Sequence, residues 1–417
     1  MSNLLLPDEL PRDTAASPRW LSIVGIGEDG TAGLSPIARG LIENAEFVFG
    51  GRRHLTLAAS LIRGVARPWP SPFDSAAEEV LRHRGRQVCV VASGDPFHYG
   101  VGAVLARHID AREMTVVPAA SAFSLAAARL GWSLPHCALL SLHGRALDLI
   151  RPHLQPRARI LALTSDGEGP AALADLLTKA GFGASRFMVL EALGGPRERI
   201  RATTAAGYAL GTVDALNTVG IEVDAAPGAR VLPRTAGLAD ELFEHDGQIT
   251  KREIRAVTLS SLAPRHGELL WDIGTGSGSV AIEWMLADPA MRAIAIERRP
   301  DRAARARRNA AAFGVPGLEI VEGEAPNALT DLASPDAIFI GGGADAGVLD
   351  ASTRALRSGG RLVVNAVTLE TEALLLARHA ACGGELIRIA ISRAGAVGGK
   401  TGWRTAMPVT QWLWTKP

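Results

Sequence analysis

Apolar and polar positions follow two alternating patterns along this chain. Short apolar runs are separated by longer, alanine-rich amphipathic stretches. The runs are typical of buried strands, and the stretches are typical of helices. In the first half, the predicted strands are 21–26, 47–49, 88–91, 114–117, 138–142, 159–162, 187–191 and 218–223. Helices are predicted at 121–130 and 170–179.

The same alternation starts again in the second half. The run 269–273 predicts a buried strand, and the segment 280–287 predicts a helix. The run 292–296 predicts the next strand, which ends at Glu297. Strands that alternate with helices in this way build α/β folds. We therefore predict an α/β protein whose second half contains a largely parallel sheet.

The chain is long enough for two or three domains. A segment rich in alanine, glycine and proline, 224–230, precedes a polar stretch at 240–247, and such segments are typical of linkers. We predict an N-terminal extension at 1–18, a first domain at 19–225, a linker at 226–245 and a second domain at 246–417.

Composition limits the possible partners and compartments. The net charge is +1, so bulk electrostatics favour neither a nucleic acid nor a membrane as partner. No uninterrupted apolar stretch of about 18 residues is present, and the N-terminus lacks an apolar signal core. Cys89, Cys137 and Cys382 lie far apart, which indicates neither a metal site nor a disulfide framework. We expect a cytoplasmic protein.

A glycine turn in the second half points to nucleotide chemistry. Gly274, Gly276 and Gly278 follow the strand 269–273, which contains Asp272. Glycines at such a turn let the backbone approach a ligand closely. The dinucleotide fingerprint has a third glycine where this chain has Ser279. The pattern instead resembles the first motif of Rossmann-like methyltransferases that use S-adenosylmethionine; the alternative is an ordinary strand-to-helix connection.

An acidic residue closes the next predicted strand. Glu297 follows the glycines by about 20 residues, a position from which a carboxylate accepts hydrogen bonds from ribose hydroxyls. It supports a nucleoside-containing cofactor at this turn.

Three loops in the first half end predicted strands with small residues. Gly25 and Gly27 lie in the first loop, Ser93-Gly94-Asp95 forms the second, and Ser121 lies in the third. Ligands of α/β sheets gather outside the carboxyl ends of strands. In this order the loops resemble those of the tetrapyrrole (corrin/porphyrin) methylase family over residues 19–224. The chain departs from that pattern at 27–29 and at Ala119, and Asp95 can alternatively be a turn or capping residue.

Taken together, the two halves resemble the bifunctional, decarboxylating precorrin methyltransferases of cobalamin biosynthesis. The segments 245–255, 323–326, 336–343 and 359–367 carry the resemblance in the second half, with Glu324 in place of an aspartate. Thr250 can alternatively cap the next helix with Glu253. The implied S-adenosylmethionine-binding residues are Gly25, Gly27, Ser93, Gly94, Asp95, Ser121, Thr250, Asp272, Gly274, Thr275, Gly276, Ser277, Gly278, Glu297, Glu324 and Ala325.

The resemblance also implies a reaction. The first half would methylate C5 of a precorrin-6 intermediate, and the second would methylate C15 and remove the C12 acetate carboxyl, giving a precorrin-8. It further implies a homo-oligomer. Because the substrate carries many carboxylates, cationic side chains should surround it. The candidates are Lys251, Arg255, Arg393, Lys400 and Arg404. The last three lie in the segment 392–404, which could close over the ring. Each candidate can alternatively be a solvated surface charge.

No catalytic acid or base follows from the sequence. A Ser-His-Asp or Cys-His pattern is missing. His98 and His143 are candidates, although a hydrogen-bonded structural histidine is the favoured alternative for each. Three other functions stay open at this point: methylation of another tetrapyrrole without decarboxylation, a non-catalytic binding protein, and, least favoured by the glycine spacing, a dehydrogenase.

Overall fold

The computed structural model describes residues 19–70 and 73–417. The predicted N-terminal extension, 1–18, lies outside the described residues. The chain divides into two compact units. The first contains the described residues up to Gly144 together with Arg157–Gly228, and the second contains Arg145–Pro156 and Ala229–Pro417.

The first unit begins with a parallel sheet. Its strands are β1 (Leu21–Ile26), β2 (Phe47–Gly50), β3 (Val65–Pro68), β4 (Val88–Ser93) and β5 (Met114–Val117), in the order β3-β2-β4-β1-β5. The helices are α1 (Pro36–Glu43), α2 (Arg52–Ala58), α3 (Ala76–Leu81), α4 (Val101–Leu105) and α5 (Ala122–Leu130). Every residue of β1 is buried, since apolar layers cover both of its faces. All five strands are parallel, so their carboxyl ends meet at one edge.

A second, mixed sheet completes this unit. Its strands are β6 (Cys137–Ser141), β7 (Arg159–Leu163), β8 (Arg186–Glu191), β9 (Arg199–Thr204) and β10 (Asn217–Glu222), in the order β6-β7-β10-β8-β9, with α6 (Gly169–Lys179) between β7 and β8. Only β6 and β7 run parallel; the other pairs are antiparallel. Helix α5 packs on this sheet through Phe123, Ala126 and Ala127.

The second unit is built on one seven-stranded sheet in the order β13-β12-β11-β14-β15-β19-β16. The strands are β11 (Leu269–Ile273), β12 (Arg292–Glu297), β13 (Glu319–Glu322), β14 (Ala337–Ile340), β15 (Arg361–Ala366), β16 (Glu385–Ile389) and β19 (Val409–Thr415), and a separate hairpin pairs β17 (Ser392–Val397) with β18 (Lys400–Thr405). The helices are α7 (Arg252–Leu262), α8 (Ser279–Ala287), α9 (Pro300–Ala312), α10 (Ala346–Ala355) and α11 (Leu369–Cys382).

The first five strands of this order are parallel, and β19 and β16 add antiparallel pairs at one side. Apolar clusters lie on both faces. The α/β fold class, with a largely parallel sheet in the second half of the chain, is therefore confirmed. Among the described residues, no helix combines the length and apolarity needed to span a membrane.

The region between the two predicted domains contributes to a core. Leu232, Leu238 and Phe243 lie in the segment predicted as a linker, and all three are buried in the second unit. Residues 145–156 also pack with that unit, an excursion that the sequence did not indicate. The domain limits predicted from the sequence stay a prediction.

Candidate functional site

The three predicted loops of the first unit contact one another. Because β4 and β5 flank β1, their loops leave the sheet side by side. Gly94 N–H donates to the Ile26 carbonyl at 3.2 Å, and Ala119 N–H donates to the Gly94 carbonyl at 3.1 Å. A Cβ atom on Gly25 would lie 2.6 Å from the Ala119 nitrogen and closer still to the Gly94 oxygen. Only glycine fits at position 25.

A cleft of about 440 Å³ opens beside these loops, between residues of the two sheets of this unit. Gly27, Ser93, Gly94, Asp95 and Ser121 line it, whereas Gly25 lines a smaller neighbouring cavity of about 240 Å³. The structure thus brings together the site residues that the sequence predicted for this half.

Two of these predicted residues also have local structural roles. The Asp95 carboxylate accepts from Phe97 N–H at 2.9 Å, as a turn aspartate does. The Ser121 hydroxyl accepts from Ser124 N–H at 3.1 Å and caps α5. Both stay at the cleft wall, so each alternative reading is compatible with a site role.

A polar cluster on the cleft wall was not predicted. Arg53 forms an ion pair with Glu28 and donates to Ser93 Oγ at 2.6 Å. The Nε2 atom of His54 lies 2.8 Å from both Ser93 Oγ and Arg53 Nη2. Burial and the neighbouring Arg53 lower the pKa of His54 to about 4, so this imidazole is neutral near pH 7. The cluster fixes the Ser93 hydroxyl in the cleft.

The two candidate histidines of the first unit both line this cleft. The His98 ring packs 4.7 Å from the Phe123 ring and 5.3 Å from the Tyr99 ring. The Nδ1 atom of His143 lies 3.3 Å from the Thr164 carbonyl oxygen. They therefore face the same space in different environments.

The glycine turn of the second unit lies at the carboxyl edge of its parallel strands. Gly274, Gly276 and Gly278 have φ values of 71°, 59° and 79°, a region that side chains disfavour. A Cβ atom on Gly274 would also lie 2.9 Å from the Gly342 oxygen in the loop after β14. Gly274 N–H donates to the Ile296 carbonyl at 2.9 Å, which joins the turn to the end of β12.

Two buried carboxylates hold this turn. Asp272 accepts from the Thr275 hydroxyl at 2.7 Å and from Ala281 N–H at 3.1 Å. Burial, reinforced by the nearby Glu297 charge, raises the pKa of Asp272 to about 6 despite these hydrogen bonds. Glu297 is 4% exposed and accepts from Gly276 N–H at 2.9 Å and from Arg299 N–H at 3.0 Å.

Residues 244–248 lie beside the turn. Asn309, which is buried, donates to the Ser277 carbonyl at 2.8 Å and to the Glu244 carbonyl at 2.9 Å. The Asp246 carboxylate accepts from Gln248 N–H and forms ion pairs with Arg302 and Arg305. The hydrogen bond from Gln248, followed by the two ion pairs, holds the pKa of Asp246 well below its usual range. Asn309 was not predicted, because an asparagine inside an arginine-rich helix has no local signature.

The remaining predicted cofactor residues lie around the same edge. Gly323 N–H donates to the Glu297 carbonyl at 3.0 Å, which places the loop of Glu324 and Ala325 next to β12. The Glu324 side chain is exposed and pairs with Arg298 at 3.2 Å. The alternative role for Thr250 does not hold, because Lys251 is the N-cap of α7 and no side chain caps it.

Arg255 has a different environment from the other predicted substrate cations. Its side chain is fully buried, and its Nε donates to Glu283 at 2.6 Å. Asp240 accepts a further bond at 3.1 Å, and the carbonyls of Leu238 and Thr250 accept two more. This burial contradicts the expectation that Arg255 meets a substrate carboxylate; it stabilises the core instead.

The other cations lie at the surface. Lys251 and Lys400 are exposed. Arg393 on β17 pairs with Glu253, and Arg404 on β18 donates to the Ala396 carbonyl at 2.6 Å. The glycine-rich segment predicted to close over a ring is therefore the β17–β18 hairpin.

Both sites fit a nucleoside-containing cofactor. Each has a glycine cradle, a strand-end loop so close to neighbouring backbone that a Cβ atom would overlap it, at Gly25 in the first unit and at Gly274 in the second. In the second unit, the buried Ser277 hydroxyl has no hydrogen-bond partner within the described part of the chain. Buried polar groups normally have partners, so this hydroxyl suits a bound ligand.

Two family models match the chain, one for each half. Residues 21–208 match the tetrapyrrole (corrin/porphyrin) methylases, and residues 241–416 match the precorrin methyltransferase domain. The two matches are consistent with a separate methyltransferase module in each unit.

Full-length relatives extend this likeness over the whole chain. A Sinorhizobium protein, precorrin-6Y C(5,15)-methyltransferase [decarboxylating], is 62% identical over 398 residues, covering 95% of this chain and 96% of that protein. A probable cobalt-precorrin-6B C(15)-methyltransferase (decarboxylating) from Saccharolobus solfataricus is 39% identical over 142 residues, covering 32% of this chain and 71% of that protein. The solved C-terminal domain of precorrin-6Y C5,15-methyltransferase from Rhodobacter capsulatus is 48% identical, covering 44% of this chain and all of that one, with a TM-score of 0.43.

Proposed function

The chain belongs to the family of the precorrin-6Y C5,15-methyltransferases (decarboxylating), and from this membership we propose that its two units divide the reaction between them. The enzyme methylates a precorrin with S-adenosylmethionine and decarboxylates it in cobalamin biosynthesis. In our proposal the first unit methylates C5. The second methylates C15 and removes the carboxyl of the C12 acetate.

The observation that carries this division is the presence of one glycine cradle in each unit. Gly25 and Gly274 both leave no room for a side chain, at the carboxyl edges of two separate parallel sheets. A chain that transfers one methyl group needs only one such cradle. The Saccharolobus protein, named for the C15 reaction alone, matches 142 residues of this chain, fewer than either unit contains, which supports placing each methylation in its own unit.

We propose that the predicted cofactor residues hold S-adenosylmethionine in both cradles. In the second unit, Glu297 would accept from ribose hydroxyls with the lone pairs that Gly276 and Arg299 leave unused. In the first, Ser93 has its hydroxyl oriented by Arg53 and His54. The cofactor brings an activated methyl group, so these residues mainly orient the reactants and exclude water.

Cationic side chains are expected to meet the substrate carboxylates. In the second unit we retain Lys251, Arg393, Lys400 and Arg404, which are accessible, and exclude the buried Arg255. A carboxylate must be ionised to leave as carbon dioxide. The cations therefore hold the substrate without protonating it.

The test combines mass and position of the product. The protein is incubated with ¹³C-methyl S-adenosylmethionine and the dihydro precorrin-6 intermediate. We expect a gain of two labelled methyl groups, located at C5 and C15 by NMR, with loss of one carbon dioxide. Two methyl groups at other carbons, or a product that retains the acetate carboxyl, would contradict the proposal.

We also propose a cytoplasmic homo-oligomer. The three cysteines are free, as is usual in a reducing compartment. Exposed apolar residues of the second unit, among them Leu369, Trp403 and Met407, suit an interface between copies. Light scattering on the purified protein measures the mass of the assembly, and a monomeric mass would refute that part.

A further inference from the structure

We propose that His143 is the catalytic base of the first unit, taking the proton that C5 loses when it is methylated. The inference rests on the proposed assignment of C5 methylation to this unit. Three features of the described residues support it: the anchoring of His143, the orientation of its ring and the environments of the neighbouring histidines. The proton balance of the reaction supports it as well.

The backbone around His143 is firmly anchored. It follows β6, where Leu142 N–H donates to the Leu163 carbonyl at 2.9 Å. On its other side, Gly144 N–H donates to Ser165 Oγ at 2.9 Å. The neighbouring Thr164 is itself buried and donates to Asn217 at 2.7 Å. Two strand ends therefore fix the position of the histidine.

The ring of His143 has one nitrogen engaged and one available. Because a carbonyl oxygen only accepts hydrogen bonds, the contact from Nδ1 to the Thr164 oxygen at 3.3 Å requires the hydrogen on Nδ1. The neutral ring then carries its lone pair on Nε2, the form that accepts a proton. His143 borders both the main cleft and an adjoining cavity of about 380 Å³ that Trp69 and Phe73 line with aromatic surface.

The other two histidines of the cleft are less suitable. His54 already accepts from Arg53 through Nε2, and a second positive charge there is opposed by the guanidinium. The His98 ring lies against the rings of Phe123 and Tyr99, and within the described residues no backbone carbonyl fixes its tautomer. Among the three, and within the described residues, His143 alone combines a fixed tautomer with a lone-pair nitrogen that has no hydrogen-bond partner.

Methylation at C5 requires a proton acceptor. C5 is a bridge carbon that carries a hydrogen before the reaction. As C5 gains the methyl group through a π electron pair of the ring, the S–C bond pair stays on sulfur and the ring becomes positively charged. The C5–H bond pair then returns to the ring, and the proton passes to Nε2 of His143. No oxidant or reductant is needed.

The experiment uses the full chain with S-adenosylmethionine and a substrate deuterated at C5. The test variants are His143→Gln and His143→Ala, and His136→Gln, an exposed histidine outside the cleft, is the matched control. We expect His143→Gln to lower kcat for C5 methylation by about 10² to 10⁴, with KM and cofactor affinity unchanged. The deuterium isotope effect should increase, and added imidazole should partly restore His143→Ala.

The pH profile separates a base from a structural residue. Other titratable or charged groups around the same cleft are Glu28, Arg53, His54, Asp95, His98 and Tyr99, so the profile is compared between variants. We expect the acidic decline of kcat in the wild type to disappear in His143→Gln. A variant that keeps this decline and the wild-type kcat overturns the inference, and so does one that loses activity only through weaker cofactor binding and a lower Tm.

The outcome also separates this inference from the proposed function. A wild-type protein that adds no methyl group at C5 overturns the division of the reaction and this inference with it. A wild-type protein that methylates C5, alongside a His143→Gln variant that does so equally fast, overturns this inference alone.

Discussion

Replacing Gly25 by alanine should inactivate the first unit and spare the second. A Cβ atom at this position would lie 2.6 Å from the Ala119 nitrogen, with the Gly94 oxygen closer still. Both of those atoms belong to backbone on neighbouring strand ends, so neither can rotate away. The loops after β1, β4 and β5 must therefore separate by about 1 Å.

This displacement sets the size of the effect. Forcing an extra methyl group into a packed site costs about 1–3 kcal/mol. In a domain of this size, that cost lowers Tm by roughly 2–4 °C per kcal/mol. A misplacement of about 1 Å in a substrate-positioning site lowers the rate about 10²-fold. C5 methylation should therefore fall by about two orders of magnitude in a protein that remains folded.

The assay follows each methylation separately. Product NMR with ¹³C-methyl cofactor counts methyl groups at C5 and at C15, and calorimetry gives the Tm. The matched control is Gly40→Ala in α1, where a Cβ atom meets nothing within 4 Å and alanine favours the helix by about 1 kcal/mol. A Gly25→Ala protein with wild-type C5 methylation would refute the convergence of these loops on a working site.

Three further predictions concern the second unit. Arg255→Met leaves Glu283 buried without its charged partner and should destabilise this unit by about 3–5 kcal/mol, measured by urea unfolding. Adding Glu283→Gln should recover part of the loss. A change below about 1 kcal/mol would contradict the structural role of Arg255. Because burial raises the pKa of Asp272 from 3.8 to about 6, its contribution to stability is fully present below pH 3.8 and is lost as the pH rises through 6. Relative to Asp272→Asn, the wild type should lose about 3 kcal/mol over that interval, and parallel stability–pH curves would show the reasoning to be wrong. Gly274→Ala should abolish C15 methylation and decarboxylation. The control Gly359→Ala, at a similar φ of 75° but with open space around it, should lose only about 1 kcal/mol of stability. Equal activities of the two variants would refute a steric role for Gly274.

Several central strands were predictable because burial on both faces requires continuous apolar runs, although β19, which lies between β15 and β16, was not predicted. Strands β1, β5, β11 and β12 lie where those runs predicted them. Strands β3 and β9 were not predicted, because each lies at the edge of its sheet and has no continuous apolar run. All residues of β3 are exposed, and β9 has the sequence Arg-Ile-Arg-Ala-Thr-Thr, of which no residue is fully buried. Edge strands of this kind leave only a weak signal in the sequence.

The geometry of the candidate site was predictable where it depends on backbone shape and less so where it depends on distant side chains. Glycines indicate these turns in the sequence because few other residues adopt a positive φ. Arg53, His54 and Asn309 meet their partners only through the fold, so no local spacing identified them. Arg255 was misassigned because arginine is usually exposed, whereas here Glu283 and Asp240 compensate its buried charge.

In our proposal, the two units carry out similar transfers but differ in how the substrate ring returns to neutrality. Adding a methyl group to a bridge carbon leaves the ring with a positive charge in either unit. In the first, a proton has to leave, and the cleft wall presents the imidazoles of His54, His98 and His143. In the second, the electron pair of the bond to the acetate carboxyl neutralises the ring as carbon dioxide departs. The hydrogen that C15 loses is balanced by the hydrogen that the former acetate carbon gains, so no net proton is released. The carboxylates buried at that turn, Asp272 and Glu297, both accept hydrogen bonds from backbone N–H groups. On this proposal, the leaving group explains why a net proton acceptor is needed in the first unit and not in the second.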